Sequence, residues 1–435
     1  MMNGEHVVNT IYDVVGIGFG PANLSLAIAL EEENSDSKKL FLESKETFVW
    51  HPGMLIDDTN IQISFLKDLV TLRNPRSHYS FLNYLYEKDR LKDFVNLTDF
   101  YPSRFEYNDY MTWVSNHFAA DVQYSSEVLS IDPVEVNGEV EYLSVNVLNT
   151  KTRAIDTFKT KNVVLGTGSK PKYPVDFDYV SNPHVFHTSN FMHQIKQFST
   201  KEKHKFSIVG SGQSSAEILR YLINHYPESE VTVIMRSFSY KAVNESKLLN
   251  KIFDADQIDL YYHMPSEERS TVLKGHRDTN YNVADSAIIT YLNKEFYKQK
   301  LKGEERFRIL SYTSLEGLSS DSTGTSLKIK NTVTDEVTTL KTDAVILATG
   351  YSLNNGHEHM LLDNLKNYIL EDLPVNRDYT VATTNDFHPK ILLQGCNENT
   401  HGLGDTLLSN LSIRASEIAK TINAVKVPEL EVLGV

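Results

Sequence analysis

Two stretches of this chain have residue types and spacings suited to holding a dinucleotide. The first is Gly16-Ile17-Gly18-Phe19-Gly20-Pro21-Ala22-Asn23, which follows the apolar run Ile11–Val15 and opens the helix-like run Leu24–Leu30. Gly16 permits a tight turn, and Gly18 lets a pyrophosphate approach backbone N–H groups. Gly20 and Ala22 allow a helix to pack closely on a strand. The helix N-terminus behind them, with Asn23, offers unpaired N–H groups and a partial positive charge to the phosphates. Pro21 holds the place of the third glycine, so the motif alone is weak. A carboxylate after the next strand strengthens it. Lys39-Leu40-Phe41-Leu42 runs into Glu43, placed for a ribose hydroxyl. The same residues also admit a tight turn in an α/β sheet that holds no ligand.

The second stretch is Gly210-Ser211-Gly212-Gln213-Ser214-Ser215-Ala216, entered from Phe206–Val209. Its glycines, with Gln213 and Ser214 at the helix start, repeat the phosphate-binding pattern. The following strand, Val231–Met235, ends in Arg236 instead of an acid. A guanidinium there suits a 2′-phosphate and favours NADPH over NADH, the alternative being a surface arginine after a strand. Two such units imply two nucleotides, most simply FAD at the first and NADPH at the second, facing each other for hydride transfer.

These residues need a large scaffold, and 435 residues suffice for two or three domains. The chain is 40% apolar and 23% charged, an ordinary globular composition. A formal net charge of -14 argues against nucleic-acid binding and suits a cationic small substrate, although solubility alone would also account for it. No stretch has the order of a signal peptide and no apolar run approaches bilayer length, so stable membrane insertion is not expected. Cys396 stands alone, which excludes an internal disulfide and a thiolate metal site. No metal centre is expected, and a cytoplasmic location is.

Along the chain, Ser80–Tyr86 and Tyr107–Phe118 read as amphipathic helices. Glu127–Val147 alternates as strands around a turn at Val136-Asn137-Gly138, and Val163–Leu165 closes on Gly166-Thr167-Gly168. Pro171–Pro183 reads as a linker, and Asn244–Tyr281 as a polar, helix-prone insertion or lid. Asp278 is expected to start a helical run through Tyr297, followed by a small antiparallel piece over Ser314–Lys330 and Val333–Thr339. Ala344–Leu347 returns the chain to a sheet, with Thr349 and Gly350 at its cofactor end. After the strand Ile391–Gly395, the turn His401–Ser409, carrying Asp405 and Leu407, enters a final helix aimed at the flavin. The expected fold is α/β, with two Rossmann-like dinucleotide-binding domains and a smaller, mainly helical substrate insertion. The FAD domain takes residues 1–183 and 343–435, the NADPH domain 184–243 and 301–342, and the insertion 244–300.

Together these residues resemble the N-hydroxylating flavin monooxygenases of siderophore biosynthesis, the L-ornithine N5- and L-lysine N6-hydroxylases. The resemblance covers nearly the whole chain. It rests on Gly16–Asn23, Trp50-His51-Pro52-Gly53, Gln62–Pro75, Gly210–Ser215, Ala348–Tyr351 and His401–Ser409. The segment Phe65-Leu66-Lys67-Asp68-Leu69 with Asn74-Pro75 is its most specific part. The resemblance implies that Lys67 meets the substrate α-carboxylate, while Asn250 and Asn280 hold its polar head. Ser409 then lines the pocket near the flavin, Gln62 lies beside the isoalloxazine with Trp50 and His51 close by, and Arg236 takes the 2′-phosphate. Gln62, Asn280 and Ser409 would stand nearest the reacting atoms. An ammonium in the apolar setting of Lys67 is costly to desolvate unless an anion meets it, the alternatives being Asp68 or solvent. Asparagines in polar loops are otherwise turn or cap residues.

The implied chemistry is reduction of FAD by NADPH, reaction with O2 to a C4a-hydroperoxide, and attack on it by a neutral primary amine. A free alkylamine titrates near ~10.4, so the substrate must lose a proton first. The expected substrate is the terminal amine of L-ornithine, for a hydroxamate siderophore. His51-Pro52-Gly53-Met54 looks closer to the lysine and diamine enzymes, which keeps putrescine, cadaverine and L-lysine as alternatives. The family also implies a homo-oligomer, often a tetramer. A flavin disulfide reductase would need a second cysteine beside Cys396.

Overall fold

Four-residue runs of Val, Ile, Leu and Phe become parallel strands covered on both faces. In Val14–Ile17, Asn162–Leu165 and Ala344–Leu347 every residue is buried. In Lys39–Leu42 and Lys390–Leu393 only the leading lysine is not. Parallel strands require this, because both faces are covered, by helices on one side and by a β-meander on the other. The computed structural model describes residues 6–33, 36–244, 246–321, 324–352 and 362–424. The two ends of the domain ranges expected from sequence, at residues 1 and 435, therefore lie outside the described residues.

The strands form two five-stranded parallel sheets. The first runs in the order Lys390–Leu393, Asn162–Leu165, Val14–Ile17, Lys39–Leu42, Val122–Gln123. The second runs Val185–His187, Ala344–Leu347, Lys205–Val209, Glu230–Ile234, Phe307–Leu310. In each, a helix crosses from the central strand to its neighbour: Pro21–Glu33 in the first and Gln213–His225 in the second. Each therefore contains the strand–helix–strand unit of a dinucleotide-binding fold.

Helix Pro21–Glu33 is buried on every side from Asn23 to Leu30, and its Leu24, Ile28 and Leu30 share a core with helices Arg104–His117 and Leu411–Asn423. An antiparallel meander, Ser126–Val136, Glu139–Asn149 and Ile155–Thr160, covers the first sheet. Its first hairpin turns on Asn137 and Gly138, both at positive φ, which a two-residue turn of this hand needs. A second meander, Thr313–Asp321, Gly324–Asn331 and Val337–Thr342, accompanies the second sheet.

The polar stretch after residue 244 folds as short turns at Leu249–Phe253 and Ala255–Gln257, then helices Ile258–His263 and Ser266–Gly275. The helical run expected from Asp278 starts later. Asn282 at φ 58 breaks it, and the Asp285 carboxylate accepts the N–H groups of Ala287 and Ile288 to start helix Ser286–Lys302.

The chain crosses between the sheets on a short ribbon, Lys170–Pro171 paired antiparallel with Tyr351–Ser352. A loop of the first unit also enters the second, since Met54 and Ile56 pack in the core of the second sheet. Gly53 permits this approach, because a β-carbon there would collide with the Ser189 carbonyl.

Candidate active site

The first glycine turn is built against its neighbours. Gly18 has φ +81, and a β-carbon on it would meet the Gly166 carbonyl; one on Gly16 would run into the Phe41 ring. Gly20, expected to be the close-packing glycine, has open space where its side chain would stand, so the tight contact falls on Gly16 instead. Glu43 is fixed by backbone donors, one carboxylate oxygen accepting Phe19 N–H at 2.8 Å and the other Lys45 N–H at 2.9 Å. A carboxylate has about four acceptor positions, so hydroxyl donors still have room.

A cavity of about 1310 Å³ opens at this turn. Gly18, Gly20, Pro21, Glu43, Trp50 and His51 line it, and so do Arg236, Asn280, Thr349, Gly350 and Leu407. The glycine turn is backed tightly, is open above Gly20 and has a pinned acid beside it, so these residues fit a bound FAD. Trp50 is held through its N–H to Asn108 Oδ1 at 2.9 Å, with its ring edge-on to Tyr107. His51 takes the left-handed conformation, φ 46 and ψ 48. Crowding by protein, then the positive charges of Arg104 and Lys45, push its imidazole down to about 4, so it is neutral at pH 7.

Three residues expected at the cofactor, Asn23, Asp405 and Gln213, have their side chains engaged by the protein itself. Asn23 is fully buried beneath the turn, donating to the carbonyls of Gly18 at 2.6 Å and Ile17 at 3.2 Å and accepting from Gln394. A buried amide must find such partners, and here they stiffen the turn. Asp405 pairs with buried Arg414 and accepts Asn397 N–H. Gln213 accepts Asp285 N–H and donates to Glu217. Gly210 packs against the Ala348 carbonyl, and together with Gly212 and Ser214 it stays off the cavity wall.

The residues expected at the substrate fall into three groups. Asn280 faces the cavity directly after the turn Arg277–Thr279. Asn250 and Ser409 lie on two turns that pack together, where Asn410 donates to the Phe253 carbonyl at 2.7 Å. Asn250 Oδ1 and Ser409 Oγ are both buried and have no hydrogen-bond partner among the described residues. Unmet buried polar atoms call for a partner, and a polar ligand would supply one. Gln62 and Lys67 are off the cavity wall, on a loop that runs beside Phe100 and Pro102. The Asp68 carboxylate is taken up by Val70, Thr71 and Phe81, which leaves it no part in an ion pair with Lys67.

Among the cavity residues that sequence reasoning did not assign to the site are Arg277, Tyr281 and Glu398. The Tyr281 hydroxyl donates to Glu398 at 2.5 Å, and the Arg277 guanidinium lies 4.7 Å from the Tyr281 ring centre. Burial raises the Glu398 carboxyl above its usual range. A carboxylate between a buried strand and a helix was the available signal.

Comparison with known proteins places these residues in a family. The family model described as L-lysine 6-monooxygenase/L-ornithine 5-monooxygenase matches residues 10–353. An L-ornithine N(5)-monooxygenase of Pseudomonas aeruginosa is 38% identical over 418 residues, spanning 95% of this chain and 94% of the relative. The solved Kutzneria sp. 744 ornithine N-hydroxylase with FADred, NADP+ and L-orn superposes with a TM-score of 0.90 at 36% identity, covering 95% of this chain and 99% of that one. An L-lysine 6-monooxygenase from Pseudomonas syringae follows at a TM-score of 0.81 and 30% identity, covering 94% and 99%.

Proposed function

This chain belongs to the L-lysine 6-monooxygenase/L-ornithine 5-monooxygenase family, and on that premise we propose that it hydroxylates the terminal nitrogen of L-ornithine for siderophore biosynthesis. It is a flavin-dependent amine monooxygenase that uses FAD, NADPH and O2. The observation that carries the substrate is end-to-end similarity to ornithine enzymes, at higher identity and closer superposition than to the lysine enzyme.

Bound FAD, once reduced by NADPH, supplies activated oxygen, and the chain does the holding and screening. Glu43 accepts ribose hydroxyls, and the turn at Gly18–Pro21 leads the pyrophosphate to the N-terminus of helix Pro21–Glu33. Arg236, on the cavity wall after a strand of the second sheet, takes the 2′-phosphate of NADPH. Lys67, off the cavity wall and with no acidic partner among the described residues, pairs with the ornithine α-carboxylate. Asn250 and Ser409 offer their unmet polar atoms, and Asn280 orients the amine, which must be neutral to react. Gln62, off the cavity wall, is the residue that the family resemblance puts beside the isoalloxazine. Neutral His51 keeps a positive charge away from the flavin wall.

The first sheet with its meander is the FAD domain, the second sheet with its own is the NADPH domain, and 244–300 is the substrate insertion. No described helix is long and apolar enough to cross a membrane. We place the enzyme in the cytoplasm on its lone cysteine, and as a homo-oligomer on an exposed apolar surface near Tyr86 and Leu97. The deciding experiment is hydroxylamine formation by purified holoenzyme offered L-ornithine, L-lysine, putrescine and cadaverine in turn. Ornithine should give the highest kcat/KM and the least uncoupled peroxide. NADPH oxidation without hydroxylamine from any of the four would end the proposal.

A further inference from the structure

We infer that Arg104 and Glu217 are positioning residues for hydride delivery: their buried two-pronged ion pair sets the spacing between the two nucleotide units. This rests on the reading that FAD lies at the first unit and NADPH at the second.

Arg104 starts helix Arg104–His117, whose Tyr107, Tyr110 and Met111 belong to the core of the first unit. Glu217 lies on helix Gln213–His225, whose Ala216, Ile218 and Leu219 belong to the core of the second. Between those cores, Arg104 Nη1 donates to Glu217 Oε2 at 2.9 Å and Nη2 to Oε1 at 2.7 Å. The two side chains are only 15% and 2% exposed. Nη1 also reaches the Met54 carbonyl at 3.3 Å, tying in the loop that carries His51. Glu217 Oε1 accepts from Gln213 Nε2 at 2.8 Å, and Gln213 Oε1 accepts the N–H of Asp285 at 2.7 Å. Gln213 is the first residue of the helix that leaves the second glycine turn. One unbroken series of bonds therefore runs from the first core to the phosphate turn of the second. One helical turn further on, Arg220 donates to the Asp58 carbonyl at 2.6 Å, a second tie on the same helix.

Stability alone is a poor reason for this pair. Replacing a buried ion pair by well-packed apolar groups is often neutral or stabilising, whereas its direction and length are fixed by two parallel bonds. The covalent crossings pair over only two residues on each side, too short a ribbon to fix the spacing of the sheets by itself. Hydride transfer needs its atoms about 3–3.5 Å apart, and a misplacement of ~1 Å can cost on the order of 10²-fold in rate. A rigid tie anchored in both cores and ending at the phosphate turn supplies that precision.

The test compares two half-reactions of the holoenzyme. Glu217→Gln keeps the side-chain volume and an amide contact to Gln213 but removes the charge. Anaerobic reduction of bound flavin at saturating NADPH should slow about tenfold or more in this variant, as expected for misplacement on the ångström scale. Hydroxylamine formation by enzyme pre-reduced with dithionite, then mixed with O2, NADP+ and ornithine, should match wild type. If Glu217→Gln yields no holoenzyme, Arg104→Lys, with its charge and one prong, is measured the same way and should likewise slow flavin reduction while leaving hydroxylamine formation by pre-reduced enzyme unchanged. Unchanged reduction by NADPH overturns the inference, and so does an equal fall in both half-reactions. Wild-type flavin that NADPH cannot reduce would instead overturn the functional reading beneath it.

Discussion

Lys67 is the residue whose chemistry is easiest to isolate. Its neighbour Asp68 is buried and fully engaged with Val70, Thr71 and Phe81, so it offers the Lys67 side chain no partner. A charge-assisted contact of this kind is worth roughly 1.5–3 kcal/mol, so Lys67→Ala should raise the KM for ornithine on the order of 10- to 100-fold. Putrescine has no carboxylate, and its KM should not move. Steady-state kinetics with both substrates checks the pair of expectations, and an equal rise for both would remove the carboxylate role. His51 gives a prediction in pH. Its folded value, about 4, lies below the usual 6.5, so between those values the unfolded chain binds more protons than the folded one. The resulting stability is present above pH 6.5 and is lost as the pH falls toward 4. His51→Asn tolerates the left-handed backbone and lacks the titration. Thermal unfolding from pH 7 to pH 5 should therefore lower the melting temperature of wild type more than that of the variant, and parallel curves would contradict it.

At the scale of elements, the loop 50–58 joins the flavin wall to the second core, and Gly53 is where it passes closest. A methyl group there meets the Ser189 backbone, which has no free rotamer to move aside. Gly53→Ala should destabilise the protein by about 1–3 kcal/mol, the usual cost of overpacking, and lower flavin content by shifting Trp50 and His51. Differential scanning calorimetry and flavin absorbance per protein measure both effects; a normal melting temperature with full flavin would mean that the loop relaxes freely. Elements of this kind differ in how far sequence reveals them. Both strand–turn–helix units, the Asn137-Gly138 hairpin and Glu43 were legible, because their signals are local: a run of apolar residues, a glycine, an acid after a strand. The start of helix Ser286–Lys302 was misplaced because polar residues at 278–281 suit a helix as well as a turn, and a left-handed Asn282 decides between them. Asn23 and Gln213 sit in phosphate-type motifs and Asp405 in the turn before the last helix, yet tertiary contacts engage their side chains. Arg104 and Glu217 are 113 positions apart, and no spacing rule links them.

For the whole molecule, the surface raises a question that the two cores do not. With a net charge of -14, copies of this chain repel one another at long range, so association needs a concentrated apolar surface. Helices Phe81–Glu87 and Leu91–Leu97 and the loop after them present one. Tyr86 is 70% and Leu97 66% exposed, with Val95, Phe100, Tyr101 and Phe105 also outward over the same stretch. Apolar groups gathered this way mark a contact surface more often than chance, because each gains by leaving water. The same helices pack on the aromatic cluster of Phe65, Phe81, Phe94 and Phe100, so a partner seated there would also brace the loop that carries Lys67. Light scattering on the holoenzyme should give a mass that is a multiple of the 49.5 kDa subunit. Tyr86→Glu combined with Leu97→Glu places two like charges on the surface and should reduce that mass while leaving flavin content intact. Ornithine KM should rise in the smaller species, which has lost that brace. A wild-type mass of one subunit at micromolar concentration would remove the oligomer, and an unchanged mass in the double variant would move its contact to another face.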